Sequence, residues 1–228
     1  MRENVENKFL IGLDLGQVND PTGLVILERL QTIKTDLVSQ SWYDPHEIDR
    51  FIEEDTVGKP FYHARHIERL PLGMSYPAIV EYVKKMVNTP EIDGRYMLVI
   101  DQTGVGRPVF DMFRDAGLDA VGVTITGGDA VSHAGRKQAR VAKRILVSAV
   151  QVVIQSGRLK IAKDMASTET LQRELLNYQV KITDSANDLY AAREGEHDDL
   201  VIAMALALWF GESYGDPPAK AEMARWHL

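Results

Sequence analysis

The sequence predicts an α/β fold. Apolar strands form an opening hairpin, strands and helices alternate through the middle of the chain, and an almost wholly apolar helix closes it. The 228 residues suit one large domain, or one domain carrying an insertion, and 45% hydrophobic residues suffice to fill a core.

Each element has its own signal. Phe9 to Leu15 reads as a buried strand, and Thr22 to Leu30, after the turn signal Asn19-Asp20-Pro21, as its antiparallel partner. From Gln31 the pattern weakens and acids accumulate, so an insertion is expected at 31–58, before a third strand at Lys59 to Glu68. Ser75 signals a cap for a helix at Tyr76 to Val87, whose Ile79, Val80, Val83 and Val87 share one face. A short apolar strand, Arg95 to Ile100, stops at Asp101. A helix over Arg107 to Ala116 and a strand over Leu118 to Ile125 follow, then a glycine-rich stretch from Gly127 to Gly135. Gln138 to Gln155 reads as one long amphipathic helix ended by Ser156-Gly157, followed by a strand at Arg158 to Ile161 and a helix at Thr168 to Tyr178. His197 to Phe210 is a helix apolar on nearly every face, which requires burial against the sheet. The domain is expected to end near 212, with a tail over 213–228 containing Pro217-Pro218.

Composition bounds the chemistry. The net charge of −7 confines any nucleic-acid contact to a local basic patch. The absence of cysteine removes disulfides, thiolate metal sites and a cysteine nucleophile. The polar start, Met1 to Lys8, is unlike a signal peptide, and the longest apolar run, Leu200 to Phe210, is too short to span a bilayer. A soluble, intracellular protein without membrane association is expected.

Acids placed against the hydrophobic pattern carry the functional information. Asp14 interrupts an apolar strand, where a bare carboxylate would cost several kcal/mol. Asp101 ends a second strand, where open α/β sheets gather their chemistry. Asp198 and Asp199 open the apolar helix, whose free N–H groups favour negative charge. Taken singly, Asp198 and Asp199 read as helix-capping acids and Asp101 as a turn residue. The three points lie 87 and 97 residues apart, so only the fold can bring them together. Carboxylates without Cys or His suit Mg²⁺ or Mn²⁺, and an ion pair at ~3.5–4 Å suits phosphodiester hydrolysis.

The segments GLDLGQVNDPTGLVIL, RYMLVIDQTGVGRPVFD and EGEHDDLVIAMALA, in this order, resemble the nuclease domain of bacteriophage large terminase subunits. HIERLPLGMSYPAIV and LVSAVQVVIQSGRLKIA also look typical of that family, and the resemblance runs over roughly 8–212. It implies a ribonuclease H-like fold, a mixed central β-sheet flanked by α-helices, related to Holliday-junction resolvases and retroviral integrases. It further implies an endonuclease that cuts double-stranded concatemeric viral DNA during packaging, in the cytoplasm of the infected bacterial host. Carried over, two divalent ions would be held by Asp14, Asp101, Asp198 and Asp199, with Asp199 favoured as the direct ligand, Asp198 assisting and His197 as a helix cap or supporting group. The implied partners are an ATPase motor, the portal and the small terminase subunit. Complete large terminases carry that motor, whereas Gly58-Lys59, the one Gly-Lys pair here, precedes Pro60 and has no glycine five residues earlier, so no P-loop is present.

DNA contact is assigned to Arg136, Lys137, Arg140, Lys143 and Arg144, which on one helix would present a mostly common face, and to Arg107 beside Asp101. No base-reading motif is visible, so little sequence specificity is expected. His63 and His66 point to opposite faces of a regular strand and cannot share an ion without a bulge. Three other readings remain: a non-catalytic DNA-binding or motor-docking module, a resolvase-like nuclease, and an actin-like ATPase suggested by GLDLG but short of the second domain that it needs.

Overall fold

The computed structural model describes residues 2–16, 20–40, 50–133, 137–177, 179–182, 188–191 and 197–214. In chain order the elements are β1 (Arg2–Asp14), β2 (Thr22–Gln40), β3 (Arg50–Val57), β4 (Phe61–Leu70), α1 (Tyr76–Val87), β5 (Tyr96–Asp101), α2 (Gly106–Asp115) and β6 (Ala120–Thr126). Then come β7 (Val131–His133), β8 (Gln138–Ala142), α3 (Lys143–Gln155), β9 (Leu159–Lys160), α4 (Thr168–Asn177), β10 (Gln179–Ile182), β11 (Asp188–Ala191) and α5 (Asp199–Tyr214).

The main sheet runs β7-β8-β6-β5-β1-β2-β4-β9, with β3 also paired to β2. β1, β5, β6 and β8 are parallel, while β2 joins β1 antiparallel through the expected hairpin. Both faces are covered, which explains why the apolar run of β1 is nearly continuous. Ile11 and Leu13 meet α1 and α2 on one face, and Leu10 packs with α3 and α5 on the other. Leu200 to Trp209 are all buried, as an all-round apolar helix demands. Each large aliphatic side chain buried there contributes roughly 2 kcal/mol. α5 can lie this close because β1 offers Gly12, where a Cβ would stand 1.7 Å from the Ala203 carbonyl oxygen.

Several boundaries differ from expectation, each for a physical reason. β1 and β2 extend past the helical layers, pairing Arg2–Glu6 with Gln31–Thr35, and β3 returns along β2. Polarity at 31–40 and 50–56 therefore does not mark a loss of strand, and Glu3 to Glu6, on the β1 stretch that pairs with β2 there, are exposed. Residues 41–49 lie outside the described residues. The long helix predicted over 138–155 is a strand, Gln138–Ala142, followed by a helix beginning at Lys143. Gln138 to Ala142 pair with β6 and Ala139 to Val141 also with β7, and these ladders override the helical periodicity. α5 continues beyond Phe210 to Tyr214 because Gly211 packs against Leu10 and Tyr62, while Glu212 is clamped by Arg158 and Tyr62. The predicted tail lies outside the described residues from 215 on. Ser75 occupies the cap position of α1, but its hydroxyl makes no capping hydrogen bond. A separate antiparallel hairpin, β10–β11, lies where the sequence predicts no strand. Among the described residues no helix is long and apolar enough to cross a membrane.

Candidate metal centre at the carboxyl ends of the central strands

β1 and β5 are parallel neighbours, and their register pairs Asp14 with Asp101, so the two carboxylates end adjacent strands side by side. α5 brings its N-terminus to the same end of the sheet. The Asp198 carbonyl accepts the first helical hydrogen bond, from Ile202 N–H at 2.8 Å, and Asp199 begins the helix. The fold thus gathers all four predicted acids. Burial pushes the Asp14 carboxyl well above the usual carboxylate range, and Asp101, Asp198 and Asp199 push it further. Burial also raises Asp101, while the Thr103 contacts oppose it. The Thr103 N–H donates to Asp101 Oδ1 at 2.7 Å, so this residue does make the expected turn contact while standing in the cluster.

Among the described residues, Lys143 and Arg69 enter the cluster. Lys143, at the start of α3, donates from Nζ to Asp198 Oδ2 at 2.9 Å, and its charge also favours ionised Asp14 and Asp101. Arg69, at the end of β4, donates from Nε to Asp199 Oδ2 at 2.8 Å and from its terminal nitrogen to Glu174. Glu174 in turn accepts the N–H groups of Leu200 and Val201 at 3.1 and 3.0 Å, capping α5 from a different helix. Burial raises the Glu174 carboxyl to about 7, with Asp199 adding to it and Arg69 only partly compensating. Burial also outweighs Arg69 at Asp199, whose carboxyl stays raised.

Arg69 and Glu174 were missed in the sequence. Glu174 had a signal, since it lies three residues after the buried Leu171 on the inward face of α4. Arg69 had none, because charged residues at strand ends are common.

As the side chains stand, no group of three or more His, Cys, Asp or Glu among the described residues is disposed to hold a metal ion. Lys143 and Arg69 engage Asp198 and Asp199 instead. The donor set nevertheless fits a hard divalent cation, being four carboxylates at the adjoining ends of β1 and β5 and the start of α5. Asp199 Oδ1, moreover, is buried with no hydrogen-bond partner.

The predicted basic face does not form, because the break at Ala142 separates its members. Lys137 pairs with Asp119, Arg140 projects from the strand as an exposed residue, Lys143 enters the acid cluster and Arg144 stands 3.2 Å from Asp129. Arg136 lies outside the described residues. Arg107 is exposed at the start of α2, 3.7 Å from Asp111. His197 is half exposed and approaches Asp20 at 3.9 Å. A bulge at Arg65 pairs His66 with Ile26 and His63 with Glu28, which returns the two histidines to one face. His66 is engaged by Glu68 at 2.8 Å.

Comparison with known proteins agrees with this architecture. The chain is similar to the large terminase nuclease from thermophilic phage G20c, at 20% identity and a TM-score of 0.60 over 92% of this chain and 83% of that one. It is similar to the same nuclease with bound magnesium, at 20% identity and a TM-score of 0.59 over 89% and 81% of the two chains. The large terminase nuclease domain of Thermus phage P74-26 matches at 18% identity with a TM-score of 0.55, over 92% and 82%. No curated protein sequence matches. The family model described as the terminase RNaseH-like domain matches residues 68–209, more than half of the sequence, and the chain belongs to that family.

Proposed function

We propose that this chain is a divalent-metal-dependent endodeoxyribonuclease that cuts double-stranded viral DNA during genome packaging. The pairing of Asp14 with Asp101, beside the acids that open α5, carries this reading. Asp14, Asp101, Asp198 and Asp199 would hold two Mg²⁺ or Mn²⁺ ions. Of the last pair, Asp198 shares Lys143 with Asp14 and Asp101, whereas Asp199 is held by Arg69; this favours Asp198 as the more direct ligand, reversing the preference drawn from the sequence. Magnesium in a related nuclease structure supports a divalent ion.

When bound, such ions supply an activated water and neutralise charge developing on the phosphate. The protein's part is placement. The β1–β5 register fixes Asp14 against Asp101, Thr103 orients Asp101, and Arg69 with Glu174 anchors the helix start that carries Asp198 and Asp199. Arg107 and Arg140, both exposed, would offset phosphate charge, with Lys137 and Arg144 contributing after release from Asp119 and Asp129. Contacts of this kind read the DNA backbone and confer little sequence preference. An ATPase motor, the portal and the small terminase subunit would be the partners, in the cytoplasm of the infected bacterial host.

The test is supercoiled plasmid incubated with purified protein and Mn²⁺ or Mg²⁺, with EDTA and an Asp14→Asn/Asp101→Asn variant as controls. Metal-dependent nicking or linearisation that the variant lacks is expected. A folded protein that binds plasmid but leaves it intact under every metal would instead be a binding module.

A further inference from the structure

We propose that Lys143 is the internal counter-ion of the acid cluster, a positioning residue that a divalent cation must displace from Asp198 as it loads. The inference rests on the metal-dependent reading above and concerns what occupies the cluster before metal does.

Its basis is a conflict between local and long-range electrostatics. Lys143 and Arg144 open α3, and the first turn of that helix contains no acid. The positive end of a helix disfavours cations, so neither residue belongs there on local grounds. Each is matched by an acid from elsewhere in the chain, Lys143 by Asp198 at 2.9 Å and Arg144 by Asp129 at 3.2 Å. For Lys143 the match is the cluster itself, since its charge reaches Asp14 and Asp101 as well. Four carboxylates gathered at the ends of β1 and β5 and the start of α5 repel one another, and a cation among them lowers that cost.

The two cations of the cluster differ in kind. Arg69 grips two acids, Asp199 and Glu174, which are 8% and 4% exposed, and its planar fork fixes both at once. Lys143 and Arg69 are themselves alike, at 27% and 29% exposed, but Asp198, the acid that Lys143 bonds, is 28% exposed, and a lysine ammonium on a flexible stem can leave without disturbing the backbone. Arg69 is therefore a permanent part of the frame and Lys143 an exchangeable one. Loading a divalent ion onto Asp198 replaces one positive charge with two and releases the ammonium towards solvent or a DNA phosphate.

Wild type, Lys143→Met and Lys143→Arg are compared by thermal unfolding in EDTA and in saturating Mn²⁺, and by calorimetric titration with Mn²⁺. Lys143→Met should unfold at lower temperature in EDTA, bind Mn²⁺ about tenfold more tightly and show a larger Mn²⁺-induced shift than wild type. Lys143→Arg, which keeps the charge, should bind no more tightly than wild type. Lys143→Gln serves in place of Lys143→Met if that variant does not fold. Unchanged Mn²⁺ affinity, or an equal loss of stability with and without metal, would mean that Lys143 only packs, and the proposal falls while the metal site stands. A wild-type protein that binds no Mn²⁺ overturns both.

Discussion

Gly23 lies directly beneath the backbone of Asp199: a Cβ on Gly23 would stand 2.4 Å from the Asp199 carbonyl oxygen. The start of α5 can therefore rest on β2 only because residue 23 has no side chain, and through it the sheet sets the height of the acids. Gly23→Ala should push the helix start outward, destabilise the protein by about 1–3 kcal/mol and reduce plasmid cleavage by up to about a hundredfold for a ~1 Å displacement. Gly128→Ala, where a Cβ would meet nothing within 4 Å, is the control. Wild-type cleavage by Gly23→Ala would show that the contact is not what positions Asp199.

Arg69 is the cation that two nearly buried acids share. Arg69→Met would leave Asp199 and Glu174 without it, at a cost of about 3–5 kcal/mol in denaturant unfolding. Arg69→Lys should recover little, because an ammonium lacks the fork that reaches both carboxylates. Full recovery by lysine would reduce the role of Arg69 to charge alone.

Asp14 should trade stability for function. Burial raises its carboxyl, and the three other acids raise it further, so the ionised form opposes folding when no metal is bound. Asp14→Asn is expected to be more stable than wild type in EDTA and inactive in the plasmid assay. A variant less stable than wild type in EDTA contradicts this account.

At the other end of α5, Glu212 ties the helix to the sheet. Arg158 donates to its two carboxylate oxygens at 2.7 Å each, and the Tyr62 hydroxyl donates at 2.7 Å. Burial raises the Glu212 carboxyl, but the Arg158 and Tyr62 hydrogen bonds lower it more, so it ends below its ordinary 4.5. A depressed carboxylate gives stability that is complete above its unfolded pKa and is lost as pH falls through the folded one. Glu212→Gln should therefore be less stable at pH 7, and the two melting-temperature curves should converge as pH falls from 4.5 through the lowered folded-state value. Parallel curves down to pH 3 would remove Glu212 from the acid sensitivity.

What could be read in the sequence followed from burial. The continuous apolar run of β1, the helical stripe of α1 and the all-round apolar α5 each have one way to escape water, and the structure uses it. Asp14 stood out because it breaks an apolar strand, where an acid has no local reason to be, and Asp101 because it ends one at the edge where open α/β sheets gather their chemistry, although a turn contact with Thr103 also accounts for it locally. The misreadings share a cause. Residues 138–142 carry a helical pattern that pairing with β6 and β7 overrides, and the polar stretch after Leu30 hid strands because the β1–β2 and β2–β3 ladders hold it extended without an apolar pattern.

By itself the sequence determined which side chains must be buried and which acids stand against that demand, since hydrophobic periodicity and its violations are local properties of the chain. The tertiary structure alone decided what those acids face. The β1–β5 register sets Asp14 beside Asp101, Gly23 admits Asp199, Arg69 and Glu174 fix the helix start, and Lys143 leaves its expected basic face to meet Asp198. Each of these relations joins residues far apart in the chain. Electrostatic contacts depend on distance in space, and no spacing along the sequence encodes that distance.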